Sequence, residues 1–137
     1  MAAFSAGGKA IRWVLSATAI LFGLLTVKSG GQVLFGADVY RDAAGSYVPF
    51  VVWFNFLAGF AYLIAGVGIL LGRHWSVHLS IAILLATVLA FAAFGVHVAN
   101  GGAYEGRTVA AMALRCLVWA AIWPLARREM LRVERRL

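Results

Sequence analysis

What this chain has little of narrows the field before any motif is sought. It carries one cysteine, Cys116, so no disulfide can close within it and the redox compartment goes unreported. Acidic residues number five against twelve lysines and arginines, and charged residues together make up 12% of the chain. A soluble domain is about a quarter charged, so the polar surface that water demands is missing. Nor is there a phosphate-cradling glycine loop, a Cys/His metal spacing or a nucleophile set beside a base. Those absences argue against hydrolase and kinase chemistry and leave binding and redox roles open.

In their place stands hydrophobic length. Apolar residues make up 64% of the chain, and the mean hydropathy is +0.91. A helix crossing the ~30 Å hydrocarbon core takes about 20 apolar residues. Four such spans are expected, at about 12–28, 47–71, 76–99 and 108–126, followed by a basic tail over 127–137. With short links they fill the length. The fold class is therefore all-α integral membrane, a four-transmembrane-helix bundle forming a single membrane domain. Lys9 and Arg12 ahead of the first apolar run imitate a signal peptide, but no small-residue cleavage site follows, so an uncleaved first helix is expected.

The links have their own character. The first, over 29–46, carries Asp38, Arg41 and Asp42, and its Val33, Leu34, Phe35 and Val39 suit a short interfacial segment. Pro49 falls in the first turn of the second span, where a missing N–H is harmless. Residues 72–75 read as a tight turn, and the glycines of "NGGAYEGR" over 100–107 mark a reversal. Pro124 stands near the end of the fourth span, and the tail beyond it reads as an amphipathic turn or two.

The net charge of +7 would suggest nucleic acid in a soluble protein. Here Arg127, Arg128, Arg132, Arg135 and Arg136 directly follow an apolar run with no aromatic platform among them, so the expected partner is the lipid bilayer and not nucleic acid. Basic residues also set the orientation. Lys9, Arg12, Arg73 and the tail arginines fall on one side, while Lys28, Arg41 and Arg107 on the other are offset by Asp38, Asp42 and Glu105. The positive-inside rule then puts both termini in the cytoplasm. Small residues predict the packing faces: Ser16, Ala19 and Gly23 on the first span, Ala58, Ala61, Ala65 and Gly68 on the second, and Ala82, Ala86, Ala90 and Ala93 on the third.

The polar residues inside the spans are the candidates for function. Arg115 lies ~12 Å along the helix from Arg107 at 1.5 Å per residue. An arginine at that depth must face the bundle or a wet cavity. Asn55 lies at matching depth on the second span, His97 near the outer end of the third, and Glu105 in the link above. With Asp38 or Asp42 folding down from the first link, these form one expected outward-facing polar cluster. Two readings stand: a site for a small anion, a quinone or a metal, or an Arg–Glu or Arg–Asp tether that pins a loop over the bundle. Trp119, one turn from Arg115, is placed to stack on its guanidinium. Glu105, Asp38 and Asp42 are the acids with which His97 would have to share a metal. Bis-histidine haem ligation within the chain is disfavoured, because His74 and His78 lie at the other end of the same span. The run "FVVWFNFLAGFAY" offers either a membrane-interface belt or a flat pocket for a quinone. Cys116, mid-helix, reads as a packing residue.

The short first span ending at Lys28, the long polar link and "FLAGFAYLIAGVGILLGR" resemble the DoxX-like small four-helix bacterial membrane proteins over about the first hundred residues. The strings "FVVWFNFLAGFAYLIAGVGILL" and "HVANGGAYEGRTVAAMALR" are also similar to uncharacterised bacterial four-span proteins. The DoxX resemblance implies the four-span fold and an association with quinone-linked thiosulfate oxidation or with oxidative-stress complexes. This chain lacks an outer cysteine suited to sulfur chemistry. Three functions are carried forward: a non-catalytic accessory or ligand-binding subunit, with other membrane subunits or a second copy as partners; a quinone-linked oxidoreductase subunit; and a small anion transporter or oligomeric channel.

Overall fold

The computed structural model describes residues 6–136, with side chains described for 7–132, 134 and 135. It holds α1 (Ala6–Phe35), α2 (Asp38–Ala44), α3 (Pro49–Leu70), α4 (Trp75–Ala99) and α5 (Gly106–Arg136), with no strand among the described residues. Four of these helices are long and apolar enough to cross a membrane. Their outward faces carry Leu21, Leu25, Leu85, Leu89 and Leu117, all more than half exposed, as suits lipid as the surrounding solvent.

α1 runs beyond its expected span, and α5 carries the helical turns expected of the tail. α1 does not stop at Lys28 but continues to Phe35, because an exposed lysine can snorkel while Gly30 beyond it packs against Phe56 of α3. Val33, Leu34 and Phe35 thus belong to α1, not to a separate interfacial segment, and only Val39 falls in the short α2. α5 likewise continues as helix through the basic tail, with Pro124 inside it. The tail's Arg136 side chain and Leu137 lie outside the described residues.

α1 and α3 form the closest pair, running antiparallel on glycine. Ser16 Oγ donates to the Gly66 carbonyl at 2.7 Å, and seven residues along each helix Gly23 meets Gly59. A seven-residue repeat keeps one face of each helix in register with its partner, and small side chains let the backbones approach where no water is expelled to drive them together. The predicted stripe of Ser16, Ala19 and Gly23 is this face. On α3 the contact to α1 is made by Gly59 and Gly66, while Gly68 lies against Trp75 and Ser76 at the start of α4. On α4 the predicted stripe is not the packed face. Ala82, Ala86 and Ala93 are exposed, and Ser76, Ser80, Ile83, Thr87 and Phe94 are buried in their stead. The Ser80 and Thr87 hydroxyls bond back to the Ser76 and Ile83 carbonyls, which lets polar residues sit in an apolar core.

The Ser16–Gly66 contact and the approach of His74 Nε2 to the Glu134 carboxylate at 3.3 Å gather the start of α1, the α3–α4 turn and the end of α5 at one end. Gly72 takes φ 69° in that turn, a conformation glycine adopts without strain. α2, the start of α3 and the start of α5 meet at the other end. The buried apolar residues fall into two groups. The larger, around Tyr62, Ala65, Trp119 and Met130, fills the end bearing the tail. The smaller, Val48, Val51, Phe94 and Met112, lies under α2. Asn55 and Arg115 stand in sequence between these groups on their own helices, and they interrupt the apolar core.

Candidate functional site

A cavity of about 300 Å³ opens at the α2 end, between α1, α3 and α5. Asn55 enters from α3 and Arg115 from α5, with Thr108 and Ala111 above it; Ser29 contributes from α1, and Tyr47, Glu105 and Arg107 form the rim. Ser29 and Arg107 are exposed, so the space reaches the surface there. Asn55 lies six residues into α3 and Arg115 nine into α5, which at 1.5 Å per residue puts them ~9 and ~14 Å from the helix starts. Tyr62 and Trp119, both with no exposed surface, form the next layer down, their ring centroids 5.0 Å apart.

The defining property of this site is unmet hydrogen bonding. Asn55 Oδ1, Arg115 Nε and Trp119 Nε1 are buried atoms that make no hydrogen bond of ordinary geometry; neither does Tyr62 Oη, although it stands beside the Arg115 guanidinium and Thr87. Buried polar atoms are nearly always satisfied, and each orphan costs about 1–3 kcal/mol. The Arg115 guanidinium lies over the Phe22 ring of α1, 5.6 Å from its centroid. That contact replaces the expected stacking on Trp119, whose ring packs on Tyr62. A ring beneath the cation stabilises it without occupying its hydrogen-bond donors.

The rim is tied down by other residues. Glu105 accepts from the Ser46 N–H at 2.8 Å, and Arg107 donates to the Ala43 carbonyl at 3.0 Å. Arg41 folds back from α2 onto the Val33 carbonyl in the last turn of α1 and the Gly36 carbonyl just beyond it, while pairing with Asp38. The loop tether foreseen for Arg115 is therefore made by Glu105 and Arg107, and Arg115 takes part in no ion pair among the described residues. Glu105→Ala is expected to speed amide exchange at Ser46 about fivefold, the loss of one partly exposed hydrogen bond of roughly 1 kcal/mol, while exchange within α3 is unchanged. Equal rates at Ser46 in variant and wild type would show that the tether is idle.

The remaining predicted members lie elsewhere. His97 turns to the glycine reversal that ends α4: its Nε2 lies 2.9 Å from the Ala103 carbonyl, and its ring packs edge-on against Phe50. Asp38 is exposed and held by Arg41, and Asp42 is exposed; neither lines the cavity. Among the described residues no three His, Cys, Asp or Glu side chains gather as metal ligands would. Phe35, Trp53, Phe56 and Phe60 contact one another edge to face on the outside of the α1–α3 pair and do not line the cavity; from the run over 50–62, Val51, Val52 and Asn55 line it, and Tyr62 is buried beneath. No family model, curated protein or solved structure matches this chain. The resemblance to DoxX-like proteins rests on layout alone.

Sequence reasoning missed Tyr62 and Glu129. Tyr62 follows Asn55 by two helical turns on the same face, a spacing that was there to be read. Glu129 is 4% exposed and pairs with Arg132 at 3.1 Å; its signal was an acid three residues before an arginine inside a basic run.

Proposed function

We propose that this protein is a non-catalytic ligand-binding subunit of a bacterial inner membrane, both termini cytoplasmic, that holds a small molecule in the Asn55–Arg115 cavity. One observation carries the reading: Asn55 and Arg115 line the same space, and each carries a buried polar atom, Asn55 Oδ1 and Arg115 Nε, that makes no hydrogen bond within the protein. The ligand this pair recognises has an acceptor or anionic oxygen for the guanidinium and a hydroxyl or N–H for the amide oxygen. Positive-inside logic supports the orientation, since Lys9, Arg12, Arg73 and the arginines in the last turns of α5 share the basic end and the cavity opens at the other.

A second reading is favoured by the same donor–acceptor pair. A quinol presents a hydroxyl to Asn55 and, once oxidised, a carbonyl to Arg115, which fits the quinone link that the DoxX resemblance implies. An anion channel is less well supported, because the buried rings of Tyr62 and Trp119 stand in the layer beneath the cavity.

The test uses 4-hydroxybenzoate, a carboxylate with a hydroxyl, beside a short-chain quinol analogue and sodium chloride. Binding is followed by the thermal shift of the detergent-purified protein. We expect a shift of several degrees with 4-hydroxybenzoate or the quinol analogue but not with chloride, and its loss in Asn55→Leu. A protein that shifts with none of them, and whose native mass is that of the bare chain, overturns the reading.

A further inference from the structure

At the other end of the molecule, the outer face of α5 forms a groove of about 440 Å³ lined by Trp123, Pro124, Arg127, Arg128, Arg132 and Arg135. Glu129 is held by Arg132, and the Glu134 carboxylate lies 3.3 Å from His74 Nε2. Arg127, Arg128 and Arg135 are exposed and form no ion pair among the described residues, which leaves three guanidinium groups around one groove without a carboxylate partner. Their height is set by the helix. From Gly106 to Ala126 the helix rises ~30 Å, the thickness of the hydrocarbon core, so Arg127 and Arg128 begin where lipid phosphates lie. Trp123, one turn inside, is the residue type that settles at that boundary.

We infer that this groove is a binding site for an anionic phospholipid whose headgroup carries two negative charges. Three free guanidinium groups over-match a single phosphodiester and suit a pair of phosphates or a phosphomonoester. Guanidinium binds phosphate oxygens bidentately, so the site selects by geometry as well as by charge. A diffuse basic tail would attract any anionic surface in proportion to its charge; a built groove holds one class of lipid in preference. The inference does not depend on the cavity at the opposite end.

The experiment places the full chain in phosphatidylcholine nanodiscs containing equal mole fractions of phosphatidylglycerol and cardiolipin, and counts retained lipids by native mass spectrometry after release. Wild type is expected to retain cardiolipin about tenfold over phosphatidylglycerol. The charge-preserving R127K/R128K/R135K variant is expected to lose most of that preference, with an unchanged melting temperature because all three side chains are exposed. Equal retention of the two lipids by wild type, or an undiminished cardiolipin preference in the lysine variant, overturns the site and leaves only bulk attraction. Inorganic pyrophosphate is the control for a water-borne phosphate: displacement of cardiolipin by millimolar pyrophosphate would overturn the lipid as occupant.

Discussion

Valine at Gly66 is expected to lower the stability of the folded bundle by about 3 kcal/mol and to separate α1 from α3. A Cβ at Gly66 would lie 2.6 Å from Ile20 Cγ1, 3.2 Å from the Ile20 nitrogen and 3.2 Å from the Ser16 carbonyl oxygen. Ile20 Cγ1 can rotate aside, but the two backbone atoms cannot, so the helices must part. Overpacking of this kind costs ~1–3 kcal/mol, and parting the helices also breaks the Ser16–Gly66 hydrogen bond, worth roughly another 1 kcal/mol. Gly59→Val is expected to act likewise, through Val27 Cγ2 at 2.7 Å and the Val27 nitrogen at 3.1 Å. Because no hydrophobic drive holds transmembrane helices together, lost packing is not recovered by burying apolar surface elsewhere. Reversible unfolding in mixed micelles measures the change. Wild-type stability in Gly66→Val would show that the α1–α3 glycine layers do not hold the bundle. Gly95 is the control: no atom lies within 4 Å of a Cβ built there, so Gly95→Ala is expected to be neutral or slightly stabilising.

How much of this was legible in the sequence follows from which quantities are fixed by the chain alone. Span number was legible because the bilayer fixes a length and the apolar runs meet it four times. Depth was legible because the helix rise is constant, and this put Asn55 and Arg115 at neighbouring levels, where both line one cavity. Rotation was not. His97 has a plausible depth, but its ring turns to the Ala103 carbonyl across its own chain reversal, a local bond that no depth argument reveals. Trp119 was chosen as the partner of Arg115 because it lies four residues on along the same helix, whereas the ring that meets the guanidinium belongs to α1. On α4 only Ala90 of the alanine stripe packs against the core, since the fully buried side is set by what Thr87, Ile83 and Phe94 meet on other helices.

The placement of charge has a consistent logic. At the α2 end, Glu105, Arg107 and Arg41 each find backbone partners, and their work is to fasten links to helix ends. At the tail end, Glu129 is held by Arg132, and the Glu134 carboxylate lies beside His74. Arg115 differs from all of these. It stands nine residues inside a membrane-spanning helix, with the Phe22 ring beneath its guanidinium and its Nε making no hydrogen bond. A residue kept for stability alone would be satisfied by its surroundings.

Arg115→Leu is accordingly expected to stabilise the protein while abolishing its binding. Replacing a buried ionic group by an apolar side chain of similar size removes a desolvation cost and stabilises by about 1–4 kcal/mol in comparable cases. The Phe22 contact and the water that reaches the cavity offset part of this, so the net gain is expected near 2 kcal/mol. Binding of 4-hydroxybenzoate is expected to fall at least a hundredfold, because the variant offers its carboxylate an apolar wall. Arg115→Lys keeps the charge but not the planar donor edge, and is expected to bind weakly. Pairing Arg115→Leu with Glu105→Gln in a double-mutant cycle is expected to show coupling below about 0.5 kcal/mol, since Glu105 is engaged by Ser46. A tether makes the opposite forecast on both counts: Arg115→Leu would then destabilise the bundle, and its effect would couple strongly to Glu105. A melting temperature below wild type for Arg115→Leu, together with intact probe binding, would leave the guanidinium a structural element and the cavity without its anchor.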